Sequence, residues 1–317
     1  MRLRIGFLTF VVSASISISA LFPGLVLAQA PETPKIRVST LPIAGQVPIY
    51  TAQKLGYFKD AGLDVDITFA DGGAQSVPLL VQGSLQLAVT PITSAALANQ
   101  QGFNLKLVPP TLDDKKKAPG QTVLLVRSDG GVGSIQDLKG KRVAVNTINS
   151  VNWLYARALL RKGGLDPAAV TFVELPFPSM NDALLRGSVD GIIQVQPFHH
   201  IGVSSGKMKA LGYPFADVQP GIHIASYAGD GAWIKANPRT VKAFTDAMAR
   251  AIDYLEKNPE QAKTLIAEFT KAKPELVKQV PIDDWSTKIS VGDLAKQLEL
   301  MRQEGVLKKP IEAESLL

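Results

Sequence analysis

The chain has 317 residues, of which 46% are hydrophobic, 20% charged and 7% aromatic, and its formal net charge is +6. This is ordinary globular usage, which excludes disordered and collagen-like chains, and the length predicts roughly two domains of about 150 residues. The positive excess is scattered, with LDDKKK its densest spot, whereas a nucleic-acid partner would require a concentrated basic face. There is no cysteine, so disulfides and a lipid-modified N-terminal cysteine are excluded and stability must come from packing.

The first residues differ from the rest. Two arginines in MRLRIG precede the run FLTFVVSASISISALF, Pro23 and Gly24 break it, and LVLAQA supplies small residues at cleavage spacing. The pattern predicts a secretory signal peptide over 1–28, cleaved after Ala28, and hence a periplasmic protein. A membrane anchor would need about 20 unbroken apolar residues.

Strand-like and helix-like segments then alternate. KIRVSTL reads as a strand, VPIYTAQKLGYF as a helix with Pro48 in its first turn, and LDVDITFA as a half-buried strand of period two. AQSVPLLVQG follows as a helix, SLQLAVTP as a strand, TSAALANQQG as a helix stopped by glycine, and NLKLVPP as a strand. After a polar loop, LDDKKKAPG, the rhythm repeats. TVLLVRSD, KRVAVN, VTFVELP and VDGIIQVQP are strands, separated by a short helix in SIQDLKGK and by helices in NSVNWLYARALLRKGG and SMNDALLRGS. IHIASYAGDGAWIK is strand-like again, and from Asn237 the chain is helix-rich. This order predicts right-handed βαβ units and mainly parallel sheets, an α/β fold. LLVQGSLQLAVTP and LLRGSVDGIIQVQP share the order helix, Gly-Ser, strand, proline, which points to similar architecture in both halves.

In open parallel sheets, ligands bind beyond the carboxyl ends of the strands. The loops expected there, IAGQVP, DGGAQS, TPITS, NTINSVN, ELPFPS and VQPFHH, are rich in Gly, Gln, Thr, Asn and Ser. Backbone N–H groups at helix N-termini can hold an anionic group without a cationic side chain, although each such residue can equally serve as a helix cap. No P-loop or H-E-x-x-H motif is present, and no cofactor is expected. His199 and His200 are adjacent, so on a helix they point about 100° apart and do not chelate one metal. One of them is expected at the cleft and the other in solvent. Trp153, Phe177, Phe198 and Tyr227 could stack on an aromatic ligand or pack in the core.

PIYTAQKLGYFKDAGLDVDI, LLVQGSLQLAVT, SIQDLKGKRVAV and ALLRGSVDGIIQVQPF together resemble the nitrate/sulfonate/taurine branch of ABC-transporter substrate-binding proteins, also described as the NMT1/THI5-like family. The resemblance covers nearly the whole chain beyond the signal peptide. It implies a two-lobed periplasmic-binding-protein fold (type II), hinged by two crossing strands near 121–128 and 225–230. Lobe 1 would take 31–120 and 229–317, lobe 2 would take 121–228, and the C-terminal helices would brace lobe 1. The implied function is capture of a small molecule, anionic or neutral and polar (a sulfonate, a carboxylate or a pyrimidine-like compound), by a monomer that delivers it to a membrane permease. The resemblance places ligand contacts at Gln46, Gly73, Gln75, Thr90 and Thr93 on lobe 1, at Asn149, Ser150, Asn152, Gln196 and His199 on lobe 2, and at Tyr227 beside the return crossing. The enzyme-like relatives that make thiamine pyrimidine depend on a cysteine-rich motif, which this chain lacks. Gln196 stands where some relatives carry an acid. The alternatives are a ligand-binding sensor subunit and an exported hydrolase using His199.

Overall fold

The computed structural model describes residues 30–114 and 120–317. The predicted signal peptide therefore lies outside the described residues. Eleven strands form two sheets among them. The first contains β1 (Lys35–Thr40), β2 (Asp64–Phe69), β3 (Leu87–Thr90), β4 (Leu105–Asp113), β10 (His223–Asp230) and β11 (Asp284–Ser286), in the order β11-β4-β10-β3-β1-β2. The second contains β5 (Thr122–Arg127), β6 (Arg142–Val145), β7 (Thr171–Glu174), β8 (Gly191–Val195) and β9 (Met208–Gly212), in the order β7-β6-β8-β5-β9.

β1 pairs in parallel with β2 and β3, and β6 pairs in parallel with β7 and β8. The period-two residues and the helical connections required this, because a parallel pair needs a crossover. Each sheet also holds one antiparallel strand at the point where the chain passes from one sheet to the other. β10 inserts between β3 and β4, and β5 inserts between β8 and β9. The two sheets thus share one strand order, 2-1-3-crossing-4, and β11 is added at one edge.

The paired Gly-Ser segments sit at equivalent points. Gly83 and Gly187 each end a helix with φ near +72° and lead into the third strand of their sheet. That left-handed conformation suits glycine, which has no Cβ to clash with the following carbonyl.

Helices cover both sheets: α1 (Val47–Lys54), α2 (Ile92–Gln100), α3 (Val151–Lys162), α4 (Phe177–Leu185), α5 (Phe198–Ser204), α6 (Pro238–Lys257), α7 (Pro259–Thr270) and α8 (Val291–Gln303). The apolar stripe of α6 packs on the first sheet. Its Phe244, fully buried, stacks on Phe58 at 5.6 Å between centroids and meets Tyr227 of β10 edge-on at 5.0 Å. α6 and α7 pack on α1, and α8 packs on α2, so the C-terminal helices brace the first lobe. Two strands escape the sequence reading, β9 and β11. MKALG has no alternating pattern and DWS is three residues long, so only pairing with β5 and β4 makes them strands. In IHIASYAGDGAWIK the strand stops at Asp230, whose carboxylate accepts the N–H groups of Ala232 and Trp233 and caps a helix over Gly231–Ala236.

Candidate functional site

The carboxyl ends of the parallel strands of both sheets face one cleft, and a cavity of about 40 Å³ lies between them. Its first-lobe wall is apolar: Leu41 and Ile43 follow β1, Val89 is the last residue but one of β3, Leu112 belongs to β4 and Ile224 to β10. Gln46, in the turn before α1, is the polar side chain on that wall. Gly73 comes close because it lacks a side chain. A Cβ there would lie 2.5 Å from Pro91 Cδ and 2.8 Å from the Val89 carbonyl oxygen.

The second-lobe wall carries the polar groups, Gln121, Thr122, Asn146, Ser150 and Asn152, beside Phe177 and Val195. Among the described residues, no Lys, Arg, His, Asp or Glu lines this cavity. The polar groups form one network. Asn146 Oδ1 accepts from Ser150 Oγ at 3.3 Å and from Asn152 Nδ2 at 3.0 Å. Asn146 Nδ2 donates to Thr147 Oγ1 at 3.3 Å, and Thr122 Oγ1 donates to Asn152 Oδ1 at 3.3 Å. Ser150 Oγ also accepts from the N–H of Trp153 at 3.3 Å and so caps α3.

The lobes touch around this cavity. The Ala44 N–H donates to the Gln196 carbonyl oxygen at 3.2 Å. Gly72 abuts the second lobe so closely that a Cβ would lie 2.6 Å from Thr147 Oγ1. On the outer side, Glu304, after α8, is 3% exposed and meets two arginines of α3. Arg161 grips both carboxylate oxygens, at 3.0 and 3.3 Å, and Arg157 lies 3.5 Å away while stacking on Trp153.

Of the residues expected at the ligand, Gln46, Gly73, Ser150 and Asn152 line the cavity together. Gln75 is exposed, and its side-chain oxygen accepts the Asp71 N–H. Asn149 is also exposed and takes φ of 63° in the turn before the α3 cap. Thr90 and Thr93 are buried behind the wall; Thr90 Oγ1 donates to the Ala88 carbonyl. Tyr227 points into the first lobe and donates to Gln46 Oε1 at 3.2 Å. Burial pushes its hydroxyl pKa well above the ordinary value. Gln196 and His199 line a separate groove of about 190 Å³ with His200, Val203 and Pro281. Burial, followed by the nearby His200, lowers the His199 pKa from 6.5 to about 4, so the ring is neutral at pH 7. Phe177 is the expected aromatic residue that reaches the main cavity, whereas Trp153 packs edge-on against Phe172.

A family model described as NMT1/THI5 like matches residues 44–262. The chain belongs to the NMT1/THI5-like family. It is 25% identical over 250 residues to 4-amino-5-hydroxymethyl-2-methylpyrimidine phosphate synthase of Saccharomyces cerevisiae, covering 74% of this chain and 69% of that protein. It is 24% identical over 299 residues to the riboflavin-binding protein RibY of Chloroflexus aurantiacus, covering 88% and 83%. The solved alkanesulfonate-binding protein SsuA of Xanthomonas axonopodis, bound to MOPS, superposes with a TM-score of 0.76 at 17% identity, covering 91% of this chain and 99% of that one. The fold is accordingly the two-lobed periplasmic-binding-protein fold.

Sequence reasoning missed Asn146, the hub of the network in this NMT1/THI5-like chain, although it named the loop NTINSVN. Its only signal was a position at the carboxyl end of β6. The apolar wall was missed because its residues look like ordinary strand interior. His223, the third histidine, joins Asp113 Oδ1 at 3.1 Å and Ser226 Oγ at 2.6 Å. This is the order of a hydrolytic triad, but both His223 and Ser226 are buried between β4 and β10, and the adjoining space of about 10 Å³ admits no substrate. Among the described residues no group of three metal-ligating side chains occurs, and no helix is long and apolar enough to cross a membrane.

Proposed function

We propose that this protein is exported to the periplasm, where it works as a monomeric solute-binding protein, capturing a small organic molecule between its lobes and delivering it to the permease of an ABC importer. The observation that carries this reading is one cavity walled by both lobes, with Gln46 and Gly73 on one side and Asn146, Ser150 and Asn152 on the other. A ligand that touches both walls favours the closed arrangement over the open one, and this differential affinity drives closure. The lobes are taken as 31–120 with 223–317, and 121–222, rather than divided at 228 as the sequence suggested, because the whole of β10 pairs with β3 and β4; they rotate about the connections that enter β5 and β10. The signal peptide is 1–28.

Native mass spectrometry of gently purified protein, followed by thermal unfolding with the compound it identifies, tests the proposal. A ligand at 100 times its dissociation constant adds about 2.7 kcal/mol of stability. A purified chain that carries no small molecule and gains no stability from a broad library of sulfonates, carboxylates, amides and pyrimidines would refute it.

A further inference from the structure

The lobes are also joined away from the cavity. Glu304, which follows α8 on the first lobe, and Arg157 and Arg161, on α3 of the second, do not line the cavity. Arg161 reaches both Glu304 carboxylate oxygens, at 3.0 and 3.3 Å, while Arg157 lies 3.5 Å from the carboxylate and 3.5 Å from the Glu304 carbonyl oxygen. The Glu304 side chain is 3% exposed, and a carboxylate leaves water at high cost unless it is paired. Among the described residues, its hydrogen-bond and ion-pair partners both stand on the second lobe.

The same helix serves the cavity. Ser150 and Asn152, at the start of α3, form part of the cavity wall, and Arg161 lies about 14 Å beyond Asn152 along the helix axis. On the first lobe, Gln297 of α8 donates to the His223 carbonyl oxygen at 2.7 Å, where β10 begins. The contact thus ties a helix that lines the cavity to a helix fixed on the strand that re-enters the first lobe. The second lobe alone leaves its two arginines poorly matched. Arg157 and Arg161 stand four positions apart on one helix, a spacing at which like charges oppose each other. Asp166, the other acid that acts on Arg161, directs its carboxylate to the Ala168 N–H. Glu304 is therefore their shared counter-charge, and the opposite lobe carries it.

We propose that Arg157, Arg161 and Glu304 form a clasp that holds the lobes together without a ligand. The ligand-free chain then populates the closed arrangement, and a ligand acts on an equilibrium already displaced toward it. The clasp acts on the lobes' own equilibrium, so a clasp that fails leaves the solute-binding reading intact.

Pulsed electron-spin distance measurement on the chain, dialysed free of small molecules, tests this. The sequence has no cysteine, so Gln82→Cys and Arg186→Cys place one spin label on each lobe, at exposed positions before the equivalent glycines Gly83 and Gly187. The parent should show mainly the short separation of this structure. Glu304→Gln and Arg161→Met should each lower the ratio of short to long separations by about fivefold or more. Glu299→Gln removes the same charge from α8, where Glu299 pairs with Arg302 of its own helix, and should leave the ratio unchanged. A parent that is mainly open, a clasp variant that keeps the parental ratio, or a Glu299→Gln chain that opens as far would overturn the proposal. Should Glu304→Gln fail to fold, the half-exposed Arg161 decides through Arg161→Met.

Discussion

Replacing Glu304 by Gln should loosen the contact between the lobes. Glu304 is nearly fully buried, and its carboxylate receives a two-pronged grip from Arg161 and a longer contact from Arg157. Breaking a buried pair by removing one partner costs about 3–5 kcal/mol. The Arg161 side chain is 54% exposed, however, and water reclaims its charge once the carboxylate is gone, so about 2 kcal/mol is the better figure. For a chain of this size that lowers the melting temperature by about 3 °C. The double-mutant cycle with Arg161→Met isolates the pair and should return a coupling above about 1 kcal/mol. Because the carboxylate is buried, the loss should persist at 0.5 M salt, whereas a surface pair would be screened. A Glu304→Gln protein within about 0.5 kcal/mol of the parent, or strictly additive single effects, would show that this contact does not hold the lobes together.

Ser150→Ala removes the α3 cap and one tie to Asn146; it should cost about 1 kcal/mol by urea titration, and Ser150→Thr should recover part of it. Gly73→Val places atoms against Pro91 and the Val89 carbonyl, so we expect a loss of about 1–3 kcal/mol together with a smaller cavity, read by calorimetry and by crystallography. Phe244→Ala vacates the junction with Phe58 and Tyr227 and should cost about 3–5 kcal/mol, the largest effect of the set, measured by chemical denaturation. The depressed pKa of His199 makes a prediction about acid. Above pH 6.5 the ring is neutral both folded and unfolded and contributes no pH dependence; as pH falls from about 6.5 to about 4 only the unfolded chain takes up the proton, and stability drops by about 3 kcal/mol. His199→Gln should flatten that segment of the stability profile, and an unchanged profile would show that the ring is already solvated.

The architecture was legible because it rests on local patterns. Period-two runs such as LDVDITFA, helical spacing in VPIYTAQKL, and glycines at Gly83 and Gly187 specify strand, helix and left-handed turn within a few residues, and the pairings of β1 with β2 and β6 with β7 follow from them. The loops of the cleft were legible for the same reason, since the carboxyl ends of parallel strands converge once the sheet exists. What the loops could not reveal was which side chain within each turns inward. Gln46 lines the cavity while Gln75 faces solvent, and Ser150 faces inward while Asn149, one residue earlier, faces out.

By itself, then, the order of residues determined two α/β halves and the turns that carry the site, because those depend on contacts within about ten positions. Only the tertiary structure decided that β5 and β10 would each complete the sheet in which they pair, that Arg161 of α3 would meet Glu304 from 143 positions away, and that the cavity would be apolar on one wall and amide-lined on the other. Those outcomes depend on which distant surfaces exclude water from one another, and the hydrophobic drive that selects them carries no direction along the chain.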